Sequence, residues 1–274
     1  MQYNHVLQGQ AQMNQNDLTF LKDWFANYCV NFSTHVEEDQ RNFAVKKDHT
    51  YHVCLNALRI VRSLQLNNQD MLLAEAIALF HDVGRFPQYQ QYKTFDDNIS
   101  ANHAALGAKV LLEQDVLRGL PEKEQNLILH VVTLHNVFTL PDTLDQRTRL
   151  FVHIIRDADK LDIWRVFIEY YGQDEESRAT AVALGLPDSP GYSQTVLACL
   201  QQGRMASKSE LKTLNDFKLL QLTWLYDLNF TRSLQIVQER GYVDKMAAVL
   251  PENVEIREAI ERTRTFMKGK LKIL

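Results

Sequence analysis

Apolar residues along this chain recur at three- and four-residue spacing over long stretches, the period that lines one face of an α-helix, and strand-like alternation is scarce. Leu18, Leu21, Trp24, Phe25, Tyr28 and Phe32 form one such stripe, opened by an Asn/Asp cluster suited to N-capping. A second helix is predicted from about Asp48 to Leu66, with Leu58, Val61 and Leu64 on one face. After the Asn67-Asn68 turn, Asp70 can cap a helix that is apolar nearly all round from Leu72 to Phe80, which places it at the domain centre. Gly84 is expected to end that helix as a left-handed cap. Residues 85–99 are rich in aromatic and polar groups, contain Pro87 and show no clear period, so they read as a structured loop. Further helices are predicted from Ser100 to Glu113, from Pro121 with Glu122 and Glu124 in its first turn to His135, and from Thr143 to Asp159. Helical patterns resume at Leu211–Leu228, Arg232–Arg240 and Val254–Lys268.

The fold class that follows is all-α, a multi-helix bundle, with only 10 glycines and 6 prolines in 274 residues. Helix breakers are densest between 172 and 192, where Gly172, Gly185, Pro187, Pro190 and Gly191 fall. The chain therefore divides into residues 1–171 and a C-terminal helical extension, 172–274, expected to pack on the same domain. The C-terminal helices either cover a cleft or mediate self-association into a homo-oligomer. Composition (45% apolar, 23% charged) is that of ordinary soluble proteins, and the longest apolar stretch, Met71–Phe80, is broken by Glu75, so no membrane partner is expected. The net charge of −4 is spread along the chain, which argues against binding a nucleic-acid backbone. Residues 1–16 are polar, without the basic start and apolar segment of a secretion signal. The three widely spaced cysteines, Cys29, Cys54 and Cys199, read as buried thiols of a reducing cytoplasm, not as disulfides or a thiolate zinc site.

The chemistry begins where His81 and Asp82 close the apolar helix, because an ionised Asp buried without a partner costs on the order of several kcal/mol. Alone, a His-Asp dipeptide is weak evidence, and a capped helix end is the commoner explanation. His52 stands one helix earlier, however, and Asp159 lies two or three helices later in Arg156-Asp157-Ala158-Asp159-Lys160-Leu161-Asp162. The order His, then His-Asp, then a distant Asp in an all-helical chain resembles the HD-domain metal-dependent phosphohydrolases. His52-Val53-Cys54-Leu55-Asn56-Ala57-Leu58-Arg59-Ile60 is similar to that family's opening helix. Leu79-Phe80-His81-Asp82-Val83-Gly84-Arg85-Phe86 is similar to its namesake motif, and Asp157–Asp162 to the segment that supplies the last ligand.

The resemblance implies a divalent cation held by His52, His81, Asp82 and Asp159. It extends to His103 and His135 in the branch of the family with two ions. His49 is the nearest rival to His52, about one helical turn away, and His130 competes with His135 but points well off the same face. His5, His35, His49 and His153 have no supporting context. Imidazole and carboxylate ligands suit Mn²⁺, Fe²⁺, Co²⁺, Ni²⁺ or Zn²⁺, and carboxylates shift the balance toward harder ions such as Mg²⁺. A mixed His/Asp set also leaves room for water and substrate, unlike a closed structural zinc site.

The implied activity is hydrolysis of a phosphomonoester or phosphoanhydride, of a nucleotide or another small phosphorylated metabolite. A water acidified by the cation attacks phosphorus, without a covalent enzyme intermediate. Asp82 is expected to bind metal and hydrogen-bond that water. Arg85 and Lys160 are expected to meet charge on the phosphoryl oxygens, and Asp97 or Asp96 to assist proton transfer. Phe86, Tyr89, Tyr92 and Phe95 wall the cleft or simply pack the segment down. The absence of a Gly-Tyr-Pro triplet after the histidines departs from the cyclic-dinucleotide phosphodiesterase branch. Two other readings fit the residues: a di-iron oxygenase on the same scaffold, and a non-catalytic ligand sensor.

Overall fold

The structure, a computed structural model, describes residues 12–272; His5 and most of the polar N-terminal stretch lie outside the described residues. Two 27-residue helices, α2 (Glu37–Ser63) and α7 (Gln146–Gly172), flank α3 (Asn68–Phe80), and α1 (Gln15–Val30) packs on α3 from outside. Among the described residues there is no strand. The centre is α3 because it is apolar on every side: Leu72 to Phe80 are buried apart from Glu75, which pairs with Lys22 of α1 at the edge. Asn67, not Asp70, caps it, its side chain accepting from the Asp70 amide at 2.9 Å.

Three boundaries depart from the sequence reading for one reason. Helix α2 starts at Glu37 and α7 runs past Asp159 to Gly172 because their inner faces carry polar side chains in place of the apolar ones that periodicity detects. Asn42 and His49 are buried on α2, and Asp157 and Asp162 on α7. The expected loop after Gly84 is a helix, α4 (Arg85–Tyr92), whose buried side chains are Arg85, Phe86, Gln88 and Tyr89, two of them polar. Pro87 sits in its first turn, where a missing N–H costs nothing.

Gly84 has φ of −72° and is not a left-handed cap. Its role is close approach: a Cβ there would lie 2.1 Å from the carbonyl oxygen of His103 and 2.4 Å from the Gly107 nitrogen. The main chain after α3 thus rests directly on α5 (His103–Glu113), which is capped by Asn102 and packs on α6 (Glu122–Leu134).

The C-terminal helices are α8 (Gln194–Gln201), α9 (Leu214–Thr223), α10 (Thr231–Glu239), α11 (Tyr242–Ala247) and α12 (Val254–Lys272). Helix α8 packs on α9 and α12, while α10 packs on α7 and α2. Polar ties join this segment to the rest: the buried Asp157 carboxylate accepts from the Asn229 and Phe230 amides, Arg240 donates to Asn56 at 3.0 Å, and Asp227 pairs with Arg156 and Lys160. One apolar core runs from Leu18 in α1 to Met267 in α12. The three cysteines are free and buried. No described helix is long and apolar enough to cross a membrane.

Candidate metal centre

Five elements deliver side chains to one buried point between α2, α3 and α7. His49 comes from α2, His81 and Asp82 from the end of α3, His103 from the first turn of α5, His135 from the end of α6 and Asp159 from α7. His81 and His135 share a device: each is the residue just past its helix, with its ring folded back so that Nδ1 lies 2.7 Å from the carbonyl three residues earlier, Ala78 or Val132. Helix ends leave such carbonyls without intrahelical partners. His49 Nδ1 lies 2.8 Å from Asp162 Oδ2, and His103 Nδ1 lies 2.7 Å from Asp97 Oδ2.

All four Nδ1 atoms therefore face acceptors, an arrangement in which a neutral ring turns a bare Nε2 toward the cluster. Those four Nε2 atoms converge. His49 and His81 approach to 3.3 Å, and His103 and His135 to 3.0 Å. Lone pairs at such separations repel unless a cation or a proton lies between them. Asp82 sits across both pairs, with Oδ2 3.6 Å from His49 Nε2 and Oδ1 3.2 Å from His103 Nε2. Asp159 Oδ1 is 3.1 Å from His49 Nε2. The ligand atoms group into two triads, His49/His81/Asp159 and Asp82/His103/His135, each with its atoms within 4.8 Å of one another. The all-nitrogen-and-oxygen donor set, with each imidazole already oriented by a hydrogen bond from its far nitrogen, fits divalent transition ions.

Electrostatics agree with this geometry. Burial would raise the Asp82 carboxyl, but the surrounding positive groups, Lys46 foremost, hold it well below the usual carboxylate range. Asp159 is likewise held low, its hydrogen bonds from His49 and His81 outweighing burial. Burial and then the His103 and His81 charges push His135 down to about 3, so it is a neutral ligand at physiological pH. His49 behaves oppositely: burial pulls it down, but hydrogen bonds to Asp159 and Asp162 prevail and raise it to about 9. Without a cation, a proton occupies its Nε2.

A cavity of about 310 Å³ opens on the cluster. Five cations line it (Lys46, Arg85, Arg156, Lys160 and Lys208), against two carboxylates, Asp82 and Asp159, so it favours anions before any metal is counted. Lys46 donates to Asp82 Oδ2 at 2.7 Å. Lys208, exposed over much of its surface, also lines the cleft, and desolvation and then the Arg85 charge push it below the ordinary lysine range.

Residues 47–164 match the family model of the HD domain. The chain carries an HD domain. No curated protein and no solved structure matches the chain. All six side chains of the two triads fall within the HD domain, as do Asp97 and Asp162, which orient His103 and His49.

Within the HD domain the histidine that α2 turns into the cluster is His49, and the expectation for His52 is corrected. The buried stripe of α2 runs His49, Val53, Asn56 and Ala57, Ile60, whereas His52 turns outward, 39% exposed at its side chain, beside Asp48. The inward-facing histidine thus lies one turn before His52 on the same helix. His81, Asp82, Asp159, His103 and His135 all reach the centre, while His130 is exposed.

The expected supporting groups also take other places. Arg85 is buried and donates to Gln88, the Phe95 carbonyl and Asp97, with Nε 3.4 Å from Asp82 Oδ1, so it braces the ligand shell as well as lining the cleft. Asp97 accepts from His103, Arg85, Gln88 and Asn136, and burial is outweighed by these partners, which hold its carboxyl low. It therefore orients His103 and is a poor proton carrier. Asp96 caps the short turn Asp97–Ile99. Lys160 pairs with Asp227, which also bonds Arg156 at 3.2 Å. Of the aromatics, Phe86 and Tyr89 are buried in packing, whereas Phe95 lies under Lys46 at 5.1 Å. Lys46, Lys208 and Asp162 were missed. For Lys46 and Asp162 the signal existed, since each lies one turn from a ligand on the same face; for Lys208 the sequence holds none.

Proposed function

We propose that the protein hydrolyses a phosphomonoester or phosphoanhydride of a nucleotide or another small phosphorylated metabolite, with His49, His81 and Asp159 holding one divalent ion and Asp82, His103 and His135 a second. The observation that carries this reading is the convergence of four Nδ1-anchored imidazoles on facing Nε2 atoms, with Asp82 between them. When bound, such ions supply an acidified water as nucleophile and draw charge from a phosphoryl oxygen. The chain's own groups do the rest. Lys46 keeps Asp82 anionic, so its carboxylate can orient the attacking water. Lys46, Arg85 and Lys208 face the position where negative charge grows on the transferring group. Arg156 and Lys160 share the single Asp227 carboxylate and leave one net positive charge on that wall.

A second reading has specific support. Asp82 set between two triads favours a pair of ions, and an iron pair in an all-nitrogen-and-oxygen site suits oxygen chemistry. One experiment separates the two. Metal content of the purified protein is measured, then phosphate release from a panel of phosphorylated metabolites is followed anaerobically with each divalent ion restored in turn. Anaerobic phosphate release supports the hydrolase; turnover that requires oxygen and an iron pair overturns it.

A further inference from the structure

A side compartment of about 80 Å³ adjoins the cleft, sharing Lys46, Arg85, Lys208, Ile163 and Trp224 with it. Its wall is hydrocarbon: Val45, Phe95, Val182 and Phe217 close it beyond Ile163 and Trp224. Among the described lining residues, the polar groups are those of Lys46, Arg85, Lys208 and His49 and the indole N–H of Trp224. Two of those cations are turned toward the cluster, Lys46 onto Asp82 and Arg85 onto Asp97. Leu184, another wall residue, is held at φ of +55°, a left-handed backbone that a branched side chain adopts at a cost. The chain thus keeps a bulky apolar group there, in a conformation that favours glycine.

We infer that the substrate's organic part ends in a short apolar group of roughly three carbons, seated in this compartment while its phosphate lies at the ligand cluster; this rests on the phosphohydrolase reading. Size sets the chain length, since a dry cavity of about 150 Å³ is needed to hold benzene, nearly twice the space here. Chemistry excludes a nucleobase or sugar from the compartment. Each donor or acceptor facing hydrocarbon without a partner weakens binding roughly tenfold or more. Phe217 and Trp224 come from α9 and the turn that follows it, and Val182 from the turn 180–183, so the C-terminal third completes a wall that Val45, Phe95 and Ile163 begin.

The test uses the full chain with its metal complement and n-alkylphosphonates, which resist hydrolysis, in a calorimetric titration from methyl to hexyl. Affinity is expected to rise roughly fourfold per CH₂ up to about propyl and then stop rising. A nucleoside monophosphate is expected to bind no better than methylphosphonate. Affinity independent of chain length, or a nucleoside monophosphate tighter than propylphosphonate, overturns the inference. Matched alkyl phosphates are then assayed for phosphate release. The binding ladder without any release removes the phosphohydrolase reading and leaves the compartment assigned; equal release from all esters without a ladder does the reverse. Val182→Phe is expected to move the optimum to methyl and Phe217→Leu to longer chains; either folded variant with an unmoved optimum overturns the assignment.

Discussion

The contact between Gly84 and α5 makes a severe prediction for so small a change as Gly84→Ala. The new methyl group would stand 2.1 Å from one main-chain atom and 2.4 Å from another, where ordinary contact begins at 3.4 Å, so α5 must retreat by a distance on the order of 1 Å. Overpacking costs about 1–3 kcal/mol. Because both obstacles are backbone, without a flexible side chain to swing aside, the upper end is expected, about 3 kcal/mol. For a chain of this length that lowers Tm by roughly 6–12 °C.

The obstacle atom is the His103 carbonyl, so the same retreat draws His103 Nε2 from its 3.2 Å position beside Asp82. Metal sites tolerate only about 0.2 Å of such error. Calorimetric melting combined with metal analysis reads both effects: a lowered Tm and selective loss of the ion held by Asp82, His103 and His135. Gly107→Ala is the control. Its Cβ meets a side-chain methyl of Val83 at 3.3 Å and the Gly84 nitrogen at 3.4 Å, and alanine adds about 0.5–1 kcal/mol of helix stability, so near-neutral behaviour is expected. A Gly84→Ala protein melting within about 2 °C of the parent and holding its full metal complement would refute the reasoning.

His49→Ala is expected to abolish binding at the His49/His81/Asp159 triad while His52→Ala leaves metal content unchanged; the opposite order in metal analysis would restore the sequence assignment. Because His49 is raised to about 9 in the metal-free protein, metal binding at pH 7 must displace its proton. Calorimetry in buffers of different ionisation enthalpy should therefore show about one proton released, with apparent affinity rising up to tenfold per pH unit toward pH 9. No buffer dependence would contradict it. Asp162→Asn, which keeps the shape but removes the carboxylate behind His49, is expected to weaken metal binding about 10–100-fold, read by competition with a chelator. Asp227 has its carboxyl pK lowered, burial being outweighed by Lys160 and Arg156, so its contribution is present above the ordinary carboxylate pKa and lost as pH falls through the lower folded value. Asp227→Asn is thus expected to cost about 1–2 kcal/mol at neutral pH, discounted for its partial exposure, with the difference in Tm from the parent closing below about pH 4; a gap constant with pH would exclude the pairing.

The all-helical class was legible because the apolar stripes of α1, α3, α6 and α12 are regular, and the His81-Asp82 pair was legible because polar residues closing an apolar helix demand partners. What escaped did so where helix faces are polar inside. The first turns of α2 and the second half of α7 carry Asn42, His49, Asp157 and Asp162 inward, so periodicity marks them as solvent-facing or ended. The His49/His52 error has the same root. Three residues on a helix separate side chains by only about 60°, and the deciding information, which of the two faces α3 and α7, is tertiary. Asp97 reads as a proton carrier in the sequence because nothing there shows that α4 brings Arg85 and Gln88 against it.

The six side chains of the two triads and one face of the compartment fall to separate stretches of chain. The triads lie between positions 49 and 159, while Val182, Lys208, Phe217 and Trp224 add a later face to a wall that Val45, Phe95 and Ile163 begin. On the proposed function, mutations in the later stretch retune which molecule is admitted without disturbing the triads, so a lineage that inherits these six side chains is free to change its diet by drift in a segment that supplies none of them. Aligned descendants should accordingly vary most around 180–224, and uniform variation across both stretches would speak against it.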